Sequence, residues 1–444
     1  MAFLRQFSRS FQAISSVSIF DFSIRFLLVF LPFSSFVSVF LTYKIGIPGS
    51  SFIKEIIFWL AILALIYSYI KSYISDKKYV FRLGYLDYFI IFYILLMLWI
   101  TVFTTGIRGM VFWGRYDFAF LIIFLVAYHG YPLLQKPISY YLKIFLISSG
   151  SMLFLSWLLK WPLQEDILLY FWYSGNPSNW DFWWAPPIFH GIDGANVRRF
   201  QWLLDGPNTM WAFLIIFTGI LTYFTRFRKD WYFVIALVVI WLLGMVFYTY
   251  SRSAMIGVIL AFLIVIFMSL RSLWQLYRFQ LISVFLILAF LMGIVWVFYY
   301  DRWIAIVGRA GSTKGHAERM IVGAHRVMEN PLGQWLGSAG PAYRHVIDTS
   351  NNPIDMTELD RFYIPESWYI QQFIEGWYLG GIVFLIIILS LFGLLICVHP
   401  ILGALFAGVG VMNLFLPTFE SSVVSLLLFL IIGIILGHRK YAKK

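Results

Sequence analysis

Runs of about 20 apolar residues, the length that crosses the hydrocarbon core of a bilayer as a helix, recur along the whole of this 444-residue chain. Hydrophobic residues make up 61% of it and charged ones 12%, against roughly 45–50% and about 25% in a soluble protein. These features define an integral membrane protein and leave no stretch for a separate soluble domain. Residues 1–444 are therefore expected to form one membrane domain of all-α, polytopic class.

Twelve runs are expected to span, at 22–43, 54–73, 86–104, 117–135, 140–160, 208–225, 231–249, 254–270, 279–299, 368–395, 400–416 and 421–437. An even number puts both termini on one side. Placing them in the cytoplasm makes "KSYISDKKYVFR", "RFRKD", "RSLWQLYR" and the tail "HRKYAKK" cytoplasmic, as the excess of Lys and Arg on that side requires. The net charge of +12 is then mostly orientation charge beside the spans, and no nucleic-acid partner follows from it. The start, "MAFLRQFSRSFQAISSVSIF", lacks a small-residue cleavage site and reads as a cytoplasmic amphipathic lead-in. A single cysteine, Cys397, lies inside an apolar run, which excludes a disulfide framework and a Cys-based metal site.

Two long segments, 161–207 and 300–367, fall on the external face. Segments longer than about 12–15 residues between elements are usually functional or disordered, and "YFWYSGNPSNWDFWWAPPIFHG" in the first is too aromatic to stay unfolded in water. It binds a glycan or lies on the membrane surface. The second holds a helix-compatible stretch, "GHAERMIVGAHRVMEN", closed by Pro331 and "PLGQWLG".

Four places on this face carry candidate chemistry. Arg198 and Arg199 precede the Gly-Pro-Asn turn that leads into the sixth span. Arg252 sits in "SRSA" among small residues that leave a guanidinium accessible. Arg319 and Arg326, seven residues apart, share one face of the expected loop helix. Glu366 follows Pro365 at the mouth of the tenth span. Taken singly, each has a plainer role: an interfacial anchor, a snorkelling arginine, a solvated helix face, a carboxylate favoured at a helix N-terminus. Together on one face they make a coherent site. Guanidinium groups bind phosphate oxygens bidentately, a carboxylate can take a proton from a hydroxyl, and aromatic faces suit the apolar faces of sugars. That chemistry is transfer of a glycan from a lipid diphosphate to a hydroxyl.

No Asp-x-Asp lies near an early span, and His316, His325 and His345 are scattered along the loop without metal-ligand spacing. Catalysis without metal or other cofactor is expected, with arginines stabilising charge on the departing diphosphate. No Gly-rich phosphate loop or dinucleotide fingerprint occurs, which argues against a cytoplasmic nucleotide-sugar donor.

In the order "RRFQWLLDGPN", "SRSA", "ERMIVGAHRVMENPLGQWLGSAGPAYR" and "PESWYIQQFIEGWYLGGI", the last 250 or so residues resemble the O-antigen ligase and O-antigen polymerase family of bacterial polysaccharide assembly. The first five spans match only in topology. The resemblance implies an inner-membrane, inverting glycosyltransferase of GT-C type with twelve spans and a periplasmic active site. Its donor would be an undecaprenyl-diphosphate-linked oligosaccharide. Carried over, Arg198 or Arg199, Arg252 and Arg319 hold the diphosphate, and Glu366 is the catalytic base. Arg326, Arg115 and Arg108 are accessory, the last two in an external loop "GIRGMVFWGRYD".

The ligase branch opens the tenth span with a His-Asn pair, where this chain has Glu366-Ser367. Many polymerases look similar to the Glu-Ser form, so polymerisation of a repeat unit onto a second lipid-linked glycan, with room for a chain-length-regulating partner, is the expected activity. A ligase using a lipid A core or another surface acceptor is the alternative. Twelve spans with arginines and a carboxylate also suit a lipid-linked glycan carrier or flippase, but the two similar halves of such carriers are not evident here.

Overall fold

The computed structural model of the chain describes residues 15–47, 50–75, 82–160, 167–171, 173–175, 188, 191–192, 195–199, 201, 203–204, 206–225, 249, 251–253, 256–258, 260–261, 263–264, 310–330, 332–334, 336–340 and 364–441. Among these the regular structure is helical, apart from one short antiparallel ladder of Gly191–Ile192 (β1) and Ala195–Arg198 (β2). The main helices are α1 (Ser16–Phe30), α2 (Ile53–Ser75), α3 (Tyr85–Asp117), α4 (Ala119–Gly130), α5 (Ile138–Lys160), α6 (Pro207–Phe224), α7 (Ala310–Glu329), α8 (Trp368–Val398), α9 (Pro400–Met412) and α10 (Ser422–Tyr441).

Seven stretches among the described residues are long and apolar enough to cross a membrane: Ser16–Ile45, Ile53–Ile74, Tyr85–Phe103, Ile138–Leu159, Pro207–Phe224, Trp368–Val398 and Ser422–Tyr441. The protein is a helical membrane protein. The apolar helices Ala119–Leu133 and Pro400–Met412 are shorter. The expected spans 231–249 and 279–299, and much of 254–270, lie outside the described residues.

Local chemistry sets the helix starts. Ser15 Oγ caps α1 by accepting the Ser18 N–H at 3.1 Å, satisfying a donor the first turn leaves unpaired. Asp87 Oδ2 reaches back to the Gly84 N–H at 2.7 Å at the start of α3. Pro400 and Pro207 sit at the first positions of α9 and α6, where a missing N–H costs nothing.

The core is built around α10, whose residues from Val423 to Gly437 are buried all round. Its Gly433 and Gly437 lie directly against α4. A Cβ at Gly433 would stand 2.7 Å from the Phe124 carbonyl oxygen, and one at Gly437 2.6 Å from that of Tyr128. Lipid tails are as apolar as leucine, so close backbone approach between small residues is what holds membrane helices together. Gly433→Leu is therefore expected to lower stability by about 1–3 kcal/mol, read as an earlier thermal transition in detergent. By contrast α2 turns Ile56, Trp59, Leu63, Ile66, Ile70 and Ile74 outward, an apolar band suited to lipid.

At one end of the bundle a buried pair joins three helices. His129 Nε2 of α4 lies 3.2 Å from Asp87 Oδ1 of α3, both 1% exposed, and His129 Nδ1 is 3.3 Å from the Tyr441 hydroxyl of α10. Lys440 donates to the Arg82 carbonyl at 2.8 Å. His438, Arg439 and Lys440 occupy the last turn of α10, where cations complement the helix dipole.

Two helices differ from the sequence expectation. The 368–395 run was expected as one span, but Trp377 inside α8 has φ 65 and ψ 175, which is not helical. A straight helix would separate residues 369 and 384 by about 22 Å, whereas the rings of Tyr369 and Phe384 have centroids 6.3 Å apart. The chain rises to Trp377 and turns back beside itself, and residues after the turn form the long apolar leg. Gly376 and Gly381 allow this: a Cβ at Gly381 would stand 2.4 Å from the Phe373 ring.

The second difference is at residues 105–116, expected between two spans as an external loop with Arg108 and Arg115 but part of a helix that runs to Asp117. No proline interrupts this stretch, and its glycines weaken a helix without ending it. Two distant parts of α3 meet the same part of α8: Tyr93 donates to Gln372, and the Asp117 carboxyl lies against that of Glu375. A straight helix would hold 93 and 117 about 36 Å apart, so α3 too bends back on itself.

Candidate functional site

The site grows from the opening of α8. Ser367 caps the helix, its side chain accepting the Ile370 N–H, and the Trp368 N–H donates to the Asn413 carbonyl at the end of α9, at 2.9 Å. Trp368 is fully buried, its ring edge-on to Phe120 and Phe419. This anchor leaves Glu366 at the rim, with a side chain 8% exposed and φ 56. A non-glycine residue in the left-handed region costs of order 1–3 kcal/mol, a strain that collects at functional sites.

Arg319 and His316, from α7, close on that carboxylate. Arg319 Nη1 donates to Glu366 Oε1, and His316 Nδ1 lies 3.1 Å from Glu366 Oε2. Helix α7 takes in residues 315–329 of the segment expected to be helical and begins five residues before it. It docks through Gly323, where a Cβ would stand 2.7 Å from Pro365 Cβ. Arg319, Gly323 and Arg326 follow the spacing of one helical face, the shared face expected from the sequence.

Arg326 has a different task. Its Nη2 donates to Gln334 Oε1 and to the Ser338 carbonyl, the latter at 3.2 Å, so it holds the segment after α7. That segment turns on Gly333, Gly337 and Gly340, with φ of 73, 77 and 76, and seats itself in the bend of α8. The Gln334 N–H donates to the Ile374 carbonyl at 2.9 Å, within a turn of the non-helical Trp377. Glu375 Oε1 accepts the Gly337 and Ala339 N–H groups at 3.1 and 3.3 Å. Gln371 Nε2 donates to Glu420 Oε1 at 2.6 Å. A Cβ at Gly340 would stand 2.3 Å from both Gln371 Oε1 and Glu420 Oε1. A buried polar network thus fixes the loop beneath Glu366.

The arginines from the other segments come to the same end of the bundle. Helix α9 serves as the reference: Tyr369 of α8 donates to the Gly410 carbonyl at 3.0 Å, so the opening of α8 meets the end of α9. Gly219 of α6 faces Leu405, and Tyr223 lies with its ring centroid 5.4 Å from that of His399. Helix α6 therefore runs antiparallel to α9 and begins, at Pro207 and Asn208, near Met412. Gly257 and Ala261 run antiparallel to α9 as well: Gly257 lies against Gly408 and Met412, and Ala261 against Gly408. Arg252, five residues before Gly257 in the chain, falls toward the Met412 end by this direction. It is half-buried, between Ser251 and Ser253 whose hydroxyls are 3.2 Å apart.

Arg199 braces this corner. Its Nε donates to the Thr249 carbonyl at 2.9 Å and its Nη2 to Asn208 Oδ1 at 3.2 Å, tying the Gly-Pro-Asn turn to the residues just before "SRSA". Arg198 ends β2; its side chain, like those of Arg108 and Arg115, lies outside what the structure describes. Of the aromatic run 171–184, Phe171 packs edge-on to Phe36 and Phe40 near the end of the first span, and residues 176–184 lie outside the described set.

Direct contact therefore joins Arg319 and Glu366, while Arg199 and Arg252 share their end of the bundle. Sequence reasoning missed His316 as a partner of Glu366, and it missed Glu375, Gln371, Glu420 and Asp117. Glu375 had a signal: an ionisable residue inside an apolar run marks a functional network by default. No family model, no curated protein and no solved structure matches the chain.

Proposed function

We propose that this protein is a metal-independent, inverting glycosyltransferase of GT-C type with twelve spans, most consistent with a repeat-unit polymerase of the O-antigen kind. It would work in the bacterial inner membrane with both termini cytoplasmic and this site facing the periplasm. The observation that carries the proposal is the contact of Arg319 with the buried, strained Glu366 at the opening of α8, with Arg252 at the same end of the bundle. A cation that grips phosphate oxygens beside a carboxylate is the minimum equipment for the reaction.

In this scheme the diphosphate of an undecaprenyl-diphosphate-linked oligosaccharide sits against Arg252 and Arg319, and its prenyl chain runs between the spans. Arg199 shapes the corner through Thr249 and Asn208, and Arg326 holds the loop 332–340. The acceptor hydroxyl attacks the anomeric carbon from the face opposite the diphosphate, which inverts the centre. The guanidinium groups take up the charge that develops on the departing diphosphate. Deprotonation of the acceptor hydroxyl depends on Glu366.

Cells lacking the protein are expected to accumulate single, unpolymerised glycan units on the prenyl diphosphate, and the wild-type gene to restore a length ladder. Restored attachment of preformed chains to a lipid A core, without a change in their length, would make it a ligase. Glycan units trapped on the cytoplasmic leaflet would make it a flippase and overturn the proposal.

A further inference from the structure

Glu366 is poorly placed to meet the acceptor itself. Its side chain is 8% exposed, with Oε1 bound to Arg319 and Oε2 3.1 Å from His316 Nδ1. His316 is different: its side chain is 39% exposed although Nδ1 itself is buried. The exposure of the side chain therefore lies on its other atoms. Nδ1 faces Glu366 Oε2 at contact distance, although the two are not aligned as a hydrogen bond, and Nε2 is the ring nitrogen that does not face the carboxylate. The other charged groups near it on α7 are Lys314 and Glu318, paired with each other at 3.8 Å and exposed.

We infer that His316 Nε2 is the atom that accepts the proton of the acceptor hydroxyl, and that Glu366 is its positioning residue. This rests on the glycosyltransferase function proposed above. The acceptor oxygen forms its bond to the anomeric carbon as its proton passes to Nε2. The bond from the anomeric carbon to the diphosphate oxygen breaks with its electron pair going to the diphosphate. The imidazolium stands beside Glu366, which balances its charge, and then releases the proton to water. Arg319 contributes to both halves, holding Glu366 in place and facing the diphosphate. His316 and Arg319 lie three residues apart on α7, within one turn, so a single helix sets the distance between the proton acceptor and the leaving-group cation.

The test uses purified full-length protein in liposomes, with prenyl-diphosphate oligosaccharides extracted from cells lacking the protein as both donor and acceptor. His316→Ala is expected to lower kcat by about 10²–10⁴-fold, the range of general base catalysis, with the donor KM little changed. Added imidazole should restore part of the rate in His316→Ala and none in Glu366→Gln. His316→Gln, which keeps size without a basic nitrogen, should fall as far as His316→Ala, and it guards against misfolding of the smaller variant. Activity of both His316 variants within about threefold of wild type would overturn the assignment and return the proton to Glu366. So would a loss that imidazole does not relieve and that appears mainly in KM. An inactive wild-type protein would instead overturn the transfer function, and the assignment with it.

Discussion

Arg319→Lys is expected to lower kcat/KM for the lipid-linked donor by about 10²–10³-fold, the scale of one lost donor to developing charge, while the folded protein survives. Lysine keeps the positive charge beside Glu366 but presents a point charge where arginine presents a planar fork. A residue that only held α7 to α8 would tolerate the exchange, since an ammonium can still pair with the carboxylate. Glu366→Gln is expected to cost at least as much, and the double variant little more than the worse single one, because residues that act as a unit are not additive. Steady-state kinetics of the four proteins measure this directly. Independent, additive losses would mean that the Arg319–Glu366 contact is structural and that the two residues serve different steps.

The second large effect is expected at the glycines of the loop beneath the site. Gly333 and Gly340 have φ of 73 and 76, and a Cβ there would stand 1.9 Å from Trp377 Cδ1 and 2.3 Å from Glu420 Oε1 respectively. Alanine at either position meets two costs, about 1–2 kcal/mol for a left-handed backbone and about 1–3 kcal/mol for overpacking. The sum, roughly 2–5 kcal/mol, is expected as a clear drop in thermal stability together with loss of transfer. Gly315, within α7, has open space around its Cβ direction, and alanine there is expected to be silent in stability. Equal behaviour of all three variants would show that the loop is not seated in the bend of α8.

The sequence made some of this legible and concealed the rest for physical reasons. Hydropathy located the apolar helices because composition along the chain is what a bilayer selects. The charged, amphipathic stretch before Pro331 announced α7, and the order of the arginine motifs brought Arg319 to Glu366. Hydropathy carries no sign of φ, however. "WYIQQFIEGWYLGGI" reads as the start of one long span although Trp377 reverses the chain within it. The pair of glutamines and Glu375 in that run were the available clue, since polar side chains at that density need partners such as the Gly337 and Ala339 N–H groups. Likewise, nothing in "RRF" distinguishes a phosphate ligand from a brace. Only the contacts of Arg199 with Thr249 and Asn208 show that it ties the Gly-Pro-Asn turn to the residues just before Arg252. His316 was set aside for lacking metal-ligand spacing, a criterion that does not detect a partner 50 residues away in the chain.

One measurement decides whether these residues do the chemistry assigned to them. Purified protein in liposomes is given a prenyl-diphosphate-linked repeat unit as sole substrate, and the products are resolved by mass. A ladder of lipid-linked chains, each step accompanied by release of one prenyl diphosphate and absent in Arg319→Lys, is the predicted result. Unchanged substrate, with or without a lipid A core as added acceptor, would contradict glycan transfer at this site.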